Sequence, residues 1–236
     1  MVLTVFILFT CTLVGGLSLY ALPNLKDNLG LPLVFAGSYL FAITVIHIIP
    51  ELFFISSNPS TIGLYILIGF FIQQFLEYFS SGVEHGHFHA DKAISISGRF
   101  SIVIALFIHS LLEGSLLVHD SPYHHEHESH SLLLGIILHK MPAAFALMVT
   151  LQHLGKRAIY LLVLFSIASP LGLVITDFVM LSQGKVVIVF GIVGGSFLHI
   201  STTIFVEASP KHHFRIKKIL ISLLGASLAI LVEYFI

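Results

Sequence analysis

Two apolar stretches of this sequence carry histidine and glutamate at a spacing that could bind a metal ion. His109 and Glu113 are four residues apart in SIVIALFIHSLLEGSLLV, and His139 lies in the next apolar stretch, SLLLGIILHKMPAAFAL. Residues at i and i+4 project from one face of a helix, and imidazole and carboxylate groups suit Zn²⁺ and related divalent ions. We predict one metal site with these three ligands, with a fourth position for water, Glu51 or His47.

The apolar surroundings of these residues support this interpretation. Ionisable side chains cost about 2.5–3.5 kcal/mol each at the centre of a membrane-spanning helix, so they persist mainly where they have a partner or a function. The alternative is that His109 and Glu113 form a hydrogen-bonded pair that only holds helices together. His47 and Glu51 repeat the same four-residue spacing in another apolar stretch, and this repetition favours metal binding.

Other polar residues in the apolar stretches have open alternatives. His47 and Glu51 are either an entrance or gating pair, or simply the polar end of a helix at the membrane surface. Lys140 is unexpected, because a buried ammonium group repels a neighbouring cation. It could pair with Glu113 or Asp177, stand where a second metal ion would bind, or extend toward the adjacent loop.

Four further polar residues belong to the same stretches. We expect Gln73 and Glu77 to be structural or to line an exit route. We expect Asp177 and His199 mainly to form hydrogen bonds within the bundle.

Two short loops are rich in histidine. EHGHFHAD spans residues 84–91 and HDSPYHHEHESH spans residues 119–130. Such flexible tracts bind divalent metals weakly and without fixed geometry, so they could collect ions at both mouths or sense cytosolic metal. The alternative is a solvated loop of low complexity. The candidate loop ligands are His85, His87, His89, His124, His125 and His127.

The composition indicates how these residues are positioned. Apolar residues make up 56% of the 236 positions and charged residues only 10%, whereas a soluble domain carries about 25% charged residues. A net charge of −1 argues against nucleic acid as a partner. We therefore predict an all-α membrane protein in a lipid bilayer, with one domain over residues 1–236 and eight transmembrane helices. These helices span roughly 2–21, 32–54, 61–82, 98–118, 131–152, 158–181, 185–207 and 217–236.

The basic residues predict an orientation for these helices. Nine Lys and Arg residues fall in the loops after predicted helices 1, 3, 5 and 7, and only Lys185 falls on the opposite side. Because Lys and Arg concentrate in cytoplasmic loops, we predict that both termini are non-cytoplasmic. This orientation fits either the plasma membrane or the membrane of an internal organelle.

Several motifs resemble those of the ZIP (Zrt/Irt-like) divalent metal transporters. HSLLEG (109–114) and HKMPAAFAL (139–147) are similar to the family's fourth and fifth helix signatures, and HIIPE, EHGHFH and GGSFL are also similar to ZIP motifs. The resemblance implies a 3+2+3 inverted-repeat bundle, with His109, Glu113 and His139 as the main transport site. It implies metal influx by an elevator-like movement of helices 1, 4, 5 and 6 against 2, 3, 7 and 8, often in a homodimer.

The chain also departs from the family pattern. Ser110 stands where many members have asparagine, Lys140 where many have an acid, Ala143 where many have glutamate, and Ser169 where an acid precedes the sixth-helix proline. These changes remove most of a second metal position and one ligand of the first. The chain therefore looks like the HK-containing branch, in which a lysine replaces the second ion.

We expect a transporter that moves Zn²⁺ toward the cytosol by alternating access, with Fe²⁺, Mn²⁺ or Cd²⁺ as other candidate substrates. We do not expect an enzyme, and no phosphate-binding loop for ATP is visible. One alternative is an intramembrane zinc-dependent hydrolase, which would use the same ligands with a bound water molecule, but no HExxH base is present. The other alternative is a metal sensor that does not transport.

Overall fold

The computed structural model describes residues 1–85, 95–117, 128–179, 183–207 and 216–235, and within these ranges every regular element is helical. Eight helices there are long and apolar enough to cross a membrane, which confirms the predicted all-α class. They are α1 (Val2–Ala21), α2 (Gly30–Ile55), α3 (Pro59–Ser80), α4 (Ile96–Gly114), α5 (Glu128–Leu151), α6 (Lys156–Val179), α7 (Gln183–Glu207) and α8 (Ile216–Phe235).

The helix ends differ from the predicted ends by a few residues for identifiable reasons. α3 begins at Pro59, two residues before the predicted start, because the Asn58 side chain accepts a hydrogen bond from the Thr61 amide at 3.3 Å. α4 begins after Ser95, whose hydroxyl oxygen accepts from the Gly98 amide at 3.1 Å. The predicted ends at residues 118, 181 and 236 lie outside the described residues.

α2 contains a π-helical turn over Thr44–Ile48. Pro50 follows this turn, and a proline inside a helix removes one backbone donor and displaces the carbonyl four residues before it. Local widening to a π-turn is one way to accommodate that disruption, and such turns often occur at functional positions. The turn contains His47, whose side chain is buried.

The helices pack as two groups. In the first group, α1 contacts α5 and α6, and α6 also contacts α4 and α5; in the second, α3 packs on α7, and α2 packs on α7 and α8. Contacts between the groups include α2 with α5 and α3 with α4. In a 3+2+3 inverted repeat, helices 1–3 correspond to helices 6–8, and helix 4 corresponds to helix 5. Under this correspondence the α3–α7 pair matches the α8–α2 pair, and the α1–α5 pair matches the α6–α4 pair. This is the pairing that a 3+2+3 inverted repeat requires.

Two glycines bring α4 and α6 together beside the predicted site. A Cβ atom on Gly114 would lie 1.9 Å from the Ser169 carbonyl oxygen, and one on Gly172 would lie 2.0 Å from the Leu111 carbonyl oxygen. Small residues permit such close approach of helices in a membrane. α6 is thereby held against the segment that carries His109 and Glu113.

The outer surface of the bundle is apolar. Large side chains such as Phe54, Phe75 and Phe178 are mostly exposed on it, whereas exposed apolar patches of this extent are rare on soluble monomers. Together with the eight spanning helices, this surface identifies an integral, multi-pass membrane protein.

Candidate metal site

The structure brings His109, Glu113 and His139 together. One ligand atom from each lies within 4.8 Å of those of the other two, and all three side chains are buried. His109 Nε2 is 2.9 Å from Glu113 Oε1, and His139 Nε2 is 3.8 Å from the same oxygen. The two imidazole rings are 5.9 Å apart and nearly perpendicular, at 88°. Two nitrogens and one oxygen, supplied by α4 and α5, thus surround a common point.

The closest pair in this cluster is not aligned as a hydrogen bond. Neither His109 Nε2 nor Glu113 Oε1 has a hydrogen-bond partner among the described residues, although both atoms are buried. Buried polar atoms are almost always paired. Two such atoms that lie close together without a hydrogen bond between them are suited to bind the same metal ion. Imidazole and carboxylate groups are ligands that divalent cations prefer.

Lys140 pairs with the other oxygen of Glu113. Its Nζ lies 3.1 Å from Glu113 Oε2 and donates to the hydroxyl oxygen of Ser169, whose own hydroxyl donates to the Ser110 carbonyl at 2.7 Å. The ammonium group also lies 5.0 Å from the centre of the Phe165 ring, a cation–π contact. Lys140 is 2% exposed, so the alternative in which it extends toward a loop is wrong.

Two further predicted positions lie close to this cluster. Ser110 is fully buried, and its hydroxyl has no hydrogen-bond partner within the described ranges. Gln73 is fully buried on α3, with its Oε1 2.9 Å from His109 Nδ1 and 2.9 Å from the Ser196 hydroxyl on α7. Ser196 was not predicted as a site residue, since a serine in an apolar helix carries no distinctive signal.

His47 and Glu51 do not join the three clustered ligands. They form a second cluster with Glu233 of α8, in which His47 Nδ1 is 2.7 Å from Glu233 Oε1 and His47 Nε2 is 3.4 Å from Glu51 Oε2. The hydroxyl of Ser131 on α5 donates to Glu233 Oε2 at 2.6 Å, and Tyr39 donates to the Ser131 carbonyl at 3.0 Å. The suggested fourth ligand from His47 or Glu51 is therefore not supplied in this arrangement.

Glu233 was not predicted as a site residue either. It is the one acid in the last apolar stretch, ILISLLGASLAILVEYFI, and an ionisable residue in such a stretch is itself a signal of function or of a partner.

Glu77 and His199 form a third contact, between α3 and α7. His199 Nε2 pairs with Glu77 Oε2, and Thr203 lies 3.5 Å from the same nitrogen. These residues line an open pocket of about 550 Å³ at the ends of the two helices. Glu77 and His199, for which different roles were predicted from the sequence, are thus partners.

The remaining predicted residues are outside these clusters. Asp177 is half-buried on α6 and forms no ion pair within the described ranges, so Glu113 and not Asp177 is the partner of Lys140. His85 ends a short 3₁₀ turn, Val83–His85, and its side chain lies outside what the structure describes. The other five loop histidines, His87, His89, His124, His125 and His127, also lie outside the described residues.

Comparison with known proteins agrees with the motif resemblance. No family model matches the chain. Protein zntD of Dictyostelium discoideum is 33% identical over 144 residues, which cover 54% of this chain and 20% of that protein. Zinc transporter ZIP9-B of Xenopus laevis is 26% identical over 119 residues, which cover 49% of this chain and 39% of that protein. The chain thus matches well under half the length of these relatives.

These two relatives, the HSLLEG and HKMPAAFAL motifs and the eight-helix fold agree with one another. The chain is therefore related to the ZIP (Zrt/Irt-like) family.

Proposed function

We propose that this protein transports Zn²⁺, or a similar divalent ion, toward the cytosol by alternating access around His109, Glu113 and His139. One observation carries the proposal: ligand atoms from these three residues converge within 4.8 Å inside an apolar helical bundle. Zinc is the first candidate because one relative is named as a zinc transporter.

The ligand set is suited to temporary binding. Two neutral imidazoles and one carboxylate stabilise a divalent ion, while a fourth position stays open to water or to a ligand from another conformation. A closed four-ligand site would hold the ion too tightly for rapid release. Three ligands therefore favour a transported substrate over a permanent structural metal.

Lys140 would limit the site to one ion. Its ammonium group pairs with Glu113 Oε2 and supplies a fixed positive charge where a second cation would need a ligand. With one carboxylate and one ammonium group present, their net charge is zero before the metal binds. No described residue beyond Glu113 contributes a carboxylate to the cluster, so an intramembrane hydrolase would lack the separate glutamate that serves as general base in HExxH enzymes.

The other polar clusters support a route through the bundle. The open pocket beside Glu77 and His199 would be the exit, on the side where basic loop residues predict the cytosol. His47, Glu51 and Glu233 would be the entrance, near the opposite membrane surface. The division of the helices into two packed groups supports movement of α1, α4, α5 and α6 against the other four.

The test is ⁶⁵Zn uptake into proteoliposomes that contain the protein in a determined orientation. We expect saturable uptake by the wild type and none by His109→Ala. His153→Ala, at an exposed histidine in the turn after α5, is the matched control and should transport normally. Competition by Fe²⁺, Mn²⁺ and Cd²⁺ would then rank the substrates.

Two outcomes would contradict the proposal. Equal uptake by His109→Ala and wild type would remove this cluster from the transport route. Zn²⁺ binding by the wild type that is lost in His109→Ala, but with no uptake in either orientation, would identify a sensor instead of a transporter.

A further inference from the structure

We propose that Gln73, supported by Ser196, is a positioning residue for His109 and selects the imidazole tautomer that can bind metal. The inference rests on the proposed metal site and adds two residues that do not touch the ion. It also predicts in which arrangement of the helices the ion is held most tightly.

The contacts that carry this inference converge on one oxygen. Gln73 Oε1 lies 2.9 Å from His109 Nδ1 and 2.9 Å from the Ser196 hydroxyl. All three side chains are at most 3% exposed, so water does not compete for these hydrogen bonds. The oxygen therefore acts as a fixed acceptor beside the imidazole ring.

A fixed acceptor at Nδ1 determines the state of the other ring nitrogen. Neutral imidazole carries one proton, and an acceptor beside Nδ1 keeps the proton there. The Nε2 lone pair is then available, and Nε2 is the atom that lies 2.9 Å from Glu113 Oε1. Metal-binding histidines commonly have their second nitrogen oriented in this way by an outer hydrogen-bond acceptor.

The hydrogen bonds of the Gln73 amide support a specific role for its oxygen. Its buried Nε2 has no hydrogen-bond partner among the described residues, whereas Oε1 receives two donors. A glutamine that served only to join helices would be expected to pair both ends of its amide. Within the described part of the chain, only the end of the amide that faces His109 has hydrogen-bond partners.

The contact also crosses between the two helix groups. Gln73 and Ser196 belong to α3 and α7 of one group, whereas His109 belongs to α4 of the other group. A relative movement of the groups would take His109 away from its acceptor. The ion would then be bound most tightly in the present arrangement and more weakly after the movement, which favours its release.

The experiment is ⁶⁵Zn uptake with separate measurement of KM and Vmax for three variants. Gln73→Met keeps the length of the side chain but removes the acceptor, so we expect KM to rise about tenfold or more without a lower Vmax. Gln73→Glu keeps an acceptor oxygen and should restore a KM close to that of the wild type. Ser196→Ala leaves the Gln73 oxygen in place and should raise KM less than Gln73→Met.

The controls separate positioning from folding and from the proposed function itself. Gln152→Met, at an exposed glutamine in the turn after α5, should leave both constants unchanged. A wild-type KM for Gln73→Met, or equal defects in Gln73→Met and Gln73→Glu with both proteins folded, would overturn the positioning role alone. Normal uptake by His109→Ala would overturn the metal site on which this inference rests.

Discussion

His109 and Glu113 on α4, and His47 and Glu51 on α2, are both buried histidine–glutamate pairs four residues apart. In the first pair, a second histidine from α5 approaches the same carboxylate oxygen. In the second pair, a second carboxylate from α8 approaches the opposite nitrogen of the same imidazole. The first cluster therefore has two imidazoles around one carboxylate, and the second has one imidazole between two carboxylates.

This difference decides what each cluster can bind in the present arrangement. A histidine ligates a metal through one nitrogen, so ligand atoms must converge on one side of the ring. They converge around Glu113, whereas the two nitrogens of His47 lie near two separate acids on opposite sides of the ring, Glu51 and Glu233. The same four-residue spacing thus contributes to a candidate metal site in one place and, in the present arrangement, to a contact between helices in the other.

The two clusters also differ in how their remaining charge is compensated. Lys140 pairs with Glu113 and is itself held by Ser169. Glu233 instead receives a hydrogen bond from Ser131, and this bond joins α8 to α5 across the boundary between the helix groups. We therefore expect changes in the first cluster to affect ion binding, and changes in the second to affect how the groups hold together.

The largest effect is expected from Glu113→Gln, which keeps the shape of the side chain but removes its charge. Uptake of ⁶⁵Zn should be abolished. Lys140 would lose its partner, and breaking a buried ion pair costs about 3–5 kcal/mol, so the thermal midpoint should fall. The double variant Glu113→Gln, Lys140→Met should recover stability but not uptake. Wild-type uptake by Glu113→Gln at equal protein amounts would contradict the assignment.

The next largest effect is expected from Gly172→Ala, which disturbs the first cluster through the backbone. The added Cβ would lie 2.0 Å from the Leu111 carbonyl oxygen and push α6 away from α4. We expect a loss of about 1–3 kcal/mol in stability and much reduced uptake. Gly63→Ala is the matched control, since its Cβ would meet no atom of the described residues within 4 Å. Equal behaviour of the two variants would show that α4 and α6 need not touch.

A smaller effect is expected from Lys140→Met, which removes the positive charge beside the ion. Unit charges about 4 Å apart interact by about 4 kcal/mol at an effective dielectric constant of about 20, and a factor of ten in affinity is about 1.4 kcal/mol, so KM should fall by at least about tenfold. Vmax should fall as well, because the ion is released more slowly.

Equilibrium dialysis should find one ion in the wild type that is absent from His109→Ala. Two such ions in the wild type would refute the idea that Lys140 excludes a second metal.

The smallest effect is expected from Glu233→Gln in the second cluster. The loss of one hydrogen bond, worth about 0.5–1.5 kcal/mol, should reduce uptake by about two- to tenfold. Addition of His47→Gln should cause little further loss, because both changes break the same contact. Complete loss of uptake in Glu233→Gln, as in Glu113→Gln, would mean that the second cluster also holds the ion and that the comparison is wrong.

The extent to which the sequence predicted the site can be judged from particular residues. His109 and Glu113 were predictable because one helix carries both, and helical spacing alone places them on one face. The fold class was predictable because eight apolar stretches can satisfy their backbone groups in lipid as helices. Lys140 was recognised as unusual, but its choice of Glu113 over Asp177 depends on how α4, α5 and α6 pack.

Gln73, Ser196 and Glu233 show where prediction from the sequence ended. Each contacts a residue more than 30 positions away: Gln73 contacts His109, Ser196 contacts Gln73, and Glu233 contacts His47. No local pattern encodes such a contact, because it depends on which helices become neighbours and at what height. The helices and the faces that carry ligand chemistry follow from local periodicity, so they can be predicted from the sequence. Which of these faces meet depends on tertiary packing, because the two helix groups are assembled from segments far apart in the chain.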